Sequence, residues 1–122
     1  MEPVTLVLLG IAAFIHVLPL SGVLGAARLE ALYGVPIDEP NLLLAMRHRA
    51  VMFGALGGFL VAAMAVPTLR PGAIVVTLVC DAAFMMLALQ TEGLNPKMRR
   101  VLVADVISVA CLAAAFGLTR AG

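Results

Sequence analysis

The chain has no tryptophan and a single tyrosine, so no aromatic belt marks a membrane boundary. Cysteine is nearly as scarce. Cys80 and Cys111 show no metal-ligand spacing and read as small apolar fillers. Charge is the third shortage. Only 12% of residues are charged and the formal net charge is +1, where soluble domains carry about a quarter charged residues. A nucleic-acid-binding module needs a basic footprint, so nucleic acid is excluded as a partner. Disorder needs low hydrophobicity and is excluded too.

Apolar residues fill the gap. They make up 63% of 122 residues, and mean hydropathy is +1.12. A 12.7 kDa soluble protein has too little interior to hide that much apolar surface. Lipid is the expected solvent, and a crossing helix needs about 20 mostly apolar residues. Four stretches qualify: 4–24, 50–66, 72–89 and 101–118. Pro67 and Pro71 separate the second from the third, and the 91–96 run (TEGLNP) separates the third from the fourth. The expected fold is all-α: one domain over 1–122, a four-helix transmembrane bundle. Glu2 is the only early charge and the first apolar run exceeds a signal-peptide core, so that span reads as a retained helix.

The first connection carries structure of its own. Residues 26–33 form a short amphipathic, interfacial helix, with Leu29, Leu32 and Tyr33 apolar, Arg28 and Glu30 polar, and Gly34 ending it. Asp38 is the expected N-cap of the second helix, with Pro40 in its first turn. That helix therefore starts near 40. Arg70 and Arg120 fall on the side of the termini, while Arg28, Arg47, Arg49, Lys97, Arg99 and Arg100 fall on the other. Six against two predicts that the first and third connections are cytoplasmic and that both termini lie on the outer side of the membrane.

Ionisable groups at membrane depth are costly and face the bundle interior. His16 lies about 18 Å along the first span and Asp81 about 14 Å along the third from the same side. Their depths nearly match, which predicts a His16–Asp81 hydrogen bond near mid-membrane, with Thr77 one turn from Asp81. The plainer reading of His16 is a bond to a neighbouring backbone carbonyl. Asp105 lies about 8 Å in from the cytoplasmic side, within reach of Arg49, with Ser108 one turn deeper. Arg47, His48, Arg49 and Asp105 thus outline a ligand-binding pocket. The same residues also read as interfacial anchors and a helix-locking ion pair. Two histidines invite bis-imidazole haem, but His16 lies beyond mid-membrane and His48 at its edge, so no cofactor and no metal are expected.

On the second helix Ala50, Gly54, Gly58 and Ala62 recur every four residues. This small-x-x-x-small ridge predicts close helix packing.

The words IHVLP at 15–19, LYGV at 32–35, PNL at 40–42, RHRAVMFG at 47–54 and the late Ala104–Asp105 pair carry a resemblance. Together they resemble a family of small four-helix bacterial membrane proteins whose plan is similar to the DoxX-like group. Relatives of this kind sometimes carry the name phosphopantetheine adenylyltransferase. That enzyme is a soluble α/β nucleotidyltransferase with an H-x-G-H-type signature, and neither histidine here lies in such a motif. The resemblance therefore implies an architecture and no reaction.

Three functions follow. The first is a binding or accessory subunit whose Arg47 and Arg49 hold an anionic lipid, a quinone or a similar amphipathic ligand, oriented by Asp105. Its partners are membrane lipids and a homodimer or larger membrane complex. The second is proton-coupled or small-solute transport through His16 and Asp81, which in so short a chain requires an oligomer. The third, an enzyme using His48 as acid–base, lacks a nucleophile or catalytic motif and ranks last.

Overall fold

The computed structural model describes residues 2–121. Among them there is no strand. Helix α1 is Glu2–Val17 and continues as a 3₁₀ segment, Leu18–Leu24. Helix α2 is Ala26–Tyr33, α3 is Pro40–Ala65, α4 is Arg70–Leu89 behind a 3₁₀ turn (Pro67–Leu69), and α5 is Pro96–Ala121. Four stretches, Glu2–Leu24, Pro40–Ala65, Pro67–Leu89 and Pro96–Ala121, are long and apolar enough to cross a membrane.

Local chemistry explains the boundaries, including those that depart from expectation. The first span is not one α-helix. Pro19 lacks an N–H, and its ring crowds the carbonyl four residues back, so regular α-helix stops at Val17. The N-cap of α3 is Glu39 rather than Asp38. With Pro40 at the first helical position, the cap falls on Glu39, whose carboxylate accepts from the Asn41 and Leu42 amides at 3.0 and 2.8 Å. Those two amides hold its carboxyl below the ordinary carboxylate range. Helix α5 begins earlier than the apolar run, at Pro96, because Asn95 caps it by accepting from the Met98 amide at 2.8 Å. Helix α2 keeps its expected limits. Gly34 ends it at φ 74°, a left-handed conformation natural to glycine.

Helix α1 packs against α3 and α5, and α4 packs against the same two. The order around the bundle is therefore α1, α3, α4, α5, and α1 faces α4 across the diagonal. One end of the bundle is closed by Leu9, Ala12, Ala13, Leu60, Ala63, Ala73, Ile74, Leu112 and Ala115. The alanines let the helices approach closely. At the other end α2 folds back on the bundle, and Leu29, Tyr33 and Ile37 bury against Leu43, Met46, Met98 and Val101. The polar residues occupy the layer between these two apolar plugs.

Three basic side chains serve the framework. Arg70, 5% exposed, binds both oxygens of Glu2 at 2.9 and 2.7 Å and the last carbonyls of α3 at Ala63 and Met64. Lys97 and Asn95 donate to the α2 carbonyls of Ala31 and Tyr33. Arg47 donates to the Val23 carbonyl at 2.9 Å, closing the 3₁₀ segment.

Close approach on α3 falls elsewhere than on the expected ridge. Ala50 is buried and Gly54 half-buried, but Gly58 and Ala62 are exposed, whereas Gly57 is buried. Each four-residue step turns a helix about 40° past a full turn. By Ala62 the ridge has rotated off the bundle.

Candidate functional site

The polar layer is built on the diagonal. His16 comes from the last turn of α1, Asp81 from the middle of α4, and Asp105 and Ser108 from one face of α5. The exposures of His16, Asp81, Asp105 and Ser108 are 0, 1, 3 and 0%.

His16 satisfies both of its sequence readings at once. Its Nδ1 donates to the Ala12 carbonyl at 2.8 Å, and its Nε2 meets Asp81 Oδ1 at 2.7 Å. The Ala12 oxygen can only accept, so Nδ1 carries hydrogen. Nε2 faces a carboxylate, and a neutral imidazole has one N–H. A further proton therefore lies in the Nε2···Oδ1 contact, on one side or the other. The Ser108 hydroxyl donates to Asp81 Oδ2 at 2.7 Å, so Ser108 serves Asp81 rather than Asp105. Thr77, on the same α4 face, is fully buried and its hydroxyl has no partner among the described residues.

Asp105 and Arg49 do not form the expected ion pair. The Arg49 guanidinium lies among three rings instead, with its central carbon 4.7 Å from the Phe53 ring centre, 5.4 Å from Phe84 and 5.8 Å from Tyr33. Ring faces attract a cation, most strongly where water is excluded. Arg49 makes no hydrogen bond to any described residue, and its Nε is enclosed without a partner. Asp105 likewise makes no hydrogen bond among the described residues.

Two cavities meet at this layer. The larger, about 350 Å³, opens between α3 and α4 and reaches His48, Arg49, Phe53, Phe84, Asp81 and Asp105. The smaller, about 230 Å³, lies between α1, α2 and α5. Phe53 and Asp105 line both. Of the expected pocket residues, His48, Arg49 and Asp105 come together, while Arg47 is turned away to the Val23 carbonyl. Cys80 lines the larger cavity, and both cysteines are free.

The aromatic clamp escaped sequence reasoning. Arg49 and Phe53 are one turn apart on one helix face, a spacing that pairs side chains, and this signal was readable. Phe84 and Tyr33 come from other helices and left none. No protein-family model, curated protein or solved structure matches the chain.

Proposed function

We propose that this is a small polytopic protein of a bacterial inner membrane, with both termini outside. In this reading it is a binding or accessory subunit whose larger cavity takes the head of an amphipathic ligand. The inverted burial supports the membrane assignment. His16 and Asp81 are enclosed while Leu24 and Leu89 are 79 and 80% exposed, an arrangement that favours an apolar solvent. The Lys/Arg asymmetry supports the orientation. The DoxX-like plan stays part of this proposal.

One observation carries the ligand assignment. Arg49 presents unpaired N–H donors at the wall of a cavity, fixed by aromatic rings rather than by a counter-ion. Such donors call for acceptor oxygens, and the apolar lining from Met52, Leu56 and Phe84 suits a ring or tail. A lipid phosphate and a quinone carbonyl both offer that chemistry. His48 adds a second polar contact at the mouth.

The test is mass spectrometry of small molecules that co-purify with natively expressed protein. Arg49→Gln should reduce the retained lipid or quinone about tenfold, as expected for losing a charged hydrogen bond. Arg47→Ala should leave it unchanged, and the mass identifies which source is right. Equal retention in the Arg49 variant overturns the pocket.

A second reading, an oligomeric proton-coupled or small-solute transporter, draws on the His16–Asp81 contact, whose aspartate lines the larger cavity. It expects a proton-coupled flux in proteoliposomes that Asp81→Asn abolishes. A flux that survives this change removes His16 and Asp81 from any such path.

A further inference from the structure

We propose that His16, Asp81 and Asp105 form a three-ligand site for a divalent transition-metal cation at the bundle axis. It stands apart from the ligand reading, because Arg49 takes no part in it.

The geometry comes first. One donor atom from each residue, the imidazole nitrogen and two carboxylate oxygens, all lie within 4.8 Å of one another, and all three side chains are buried. A metal about 2.1 Å from each donor holds the donors about 3.0–3.4 Å apart. The 2.7 Å His16–Asp81 contact opens by under about an ångström to admit it, and Asp105, within 4.8 Å of both, closes by at most about 1.4–1.8 Å. No spacing along the chain announces such a site, because the ligands come from three helices that only the fold brings together.

The supporting shell is already in place. A metal-binding imidazole almost always donates its other N–H to a carbonyl or carboxylate, and ligating carboxylates are themselves hydrogen-bonded. His16 Nδ1 donates to the Ala12 carbonyl, which aims Nε2 at the centre of the cluster. Ser108 fixes the far oxygen of Asp81. These two bonds leave Nε2 and Asp81 Oδ1 facing each other with one proton in the contact. A cation takes the place of that proton, which leaves to water through the larger cavity.

Asp105 is the independent sign of a ligand. It is a carboxyl 3% exposed, within reach of the other two donors, and without a hydrogen bond among the described residues. Asp105 lines both cavities, so its carboxyl is within reach of an entering ion and is not claimed by a protein donor among the described residues. Two carboxylates and a neutral imidazole together match the charge of a divalent ion. One nitrogen and two oxygens suit Zn²⁺, Mn²⁺, Fe²⁺ or Co²⁺ over soft Cu⁺, and the imidazole disfavours Ca²⁺ and Mg²⁺. Asp81 and Asp105 line the larger cavity, so the remaining coordination positions face open space, as in metal sites that handle a further ligand.

The experiment uses full-length protein in detergent, stripped with EDTA and titrated with Co²⁺ while visible d–d absorption is recorded. Zn²⁺ then serves as competitor. The expected result is one Co²⁺ per chain, displaced by Zn²⁺. Asp105→Asn should weaken binding by more than about 100-fold, and Ser108→Ala, which removes a positioning residue, by about tenfold. Because Asp105 makes no hydrogen bond among the described residues, Asp105→Asn should unfold at the wild-type temperature when metal-free. This keeps the test valid if His16→Gln does not fold. A wild-type protein that takes up no stoichiometric Co²⁺ overturns the proposal, as does uptake that Asp105→Asn leaves unchanged. Arg47→Ala, whose side chain is turned to the Val23 carbonyl, should bind Co²⁺ like wild type. The lipid or quinone reading fails through unchanged retention in Arg49→Gln, a readout this titration does not use, so the two proposals fail separately.

Discussion

Asp81→Leu should destabilise the protein by about 3 kcal/mol, while Asp81→Asn should cost less than about 1. The difference follows from counting donors and acceptors. Leucine removes the acceptors of two short bonds, from the Ser108 hydroxyl and from the His16 side, and leaves both groups buried. Interhelical hydrogen bonds in a bilayer are worth about 0.6 kcal/mol on average and up to about 1.7. Two such bonds, with the penalty for unpaired buried groups, reach the stated size. Asparagine can satisfy the same network without the extra proton. Its amide N–H donates to His16 Nε2, its oxygen accepts from Ser108, and Nδ1 still donates to Ala12. SDS-titration unfolding of the two variants is the measurement. A loss for Asp81→Asn as large as that for Asp81→Leu would show that the carboxylate charge, rather than the hydrogen-bond pattern, holds the layer together. A proton-coupled flux lost in the stable Asn variant would then be a functional loss and not a folding one.

How much of this was legible beforehand depends on how local the signal was. Four apolar stretches between proline and glycine breaks gave the helices because span length is a property of consecutive residues. The His16–Asp81 contact was legible from depth alone. In a bundle whose helices run nearly along one axis, residues at one depth share a layer, and an expensive polar residue in that layer needs a partner. Azimuth was not legible. Depth places Arg49 and Asp105 close together but does not say which way each side chain turns. The rings of Phe53, Phe84 and Tyr33 claim the guanidinium before the carboxylate reaches it. The same blindness hid the third member of the proposed metal site. Depth pairs Asp105 with Arg49 and Ser108 with Asp105, whereas the α4–α5 packing that turns Ser108 toward Asp81 exists only in three dimensions.

The small residues of α3 show the same limit in a form that mutation can measure. Gly57→Ala should cost about 2 kcal/mol, and Gly58→Ala should cost nothing. A Cβ on Gly57 would lie 2.5 Å from Val17 Cγ2, 3.1 Å from the Ala13 carbonyl oxygen and 3.2 Å from the Val17 nitrogen. The last two are α1 backbone, which cannot swing aside. Helices α1 and α3 must separate, and overpacking of this kind costs about 1–3 kcal/mol. At Gly54 a Cβ would meet only the Leu20 side chain, at 2.7 Å, and Leu20 is exposed enough to turn away. Gly54→Ala should fall in between. At Gly58 nothing lies within 4 Å, so the substitution adds only the better helix propensity of alanine, up to about 1 kcal/mol. Unfolding in SDS should therefore rank the three variants with Gly57→Ala least stable and Gly58→Ala at or above wild type. A reversed order would mean that the outward face of α3, with Gly58 and Ala62, is covered in the membrane by something as close-fitting as α1. A second copy of this chain would be the first occupant to test.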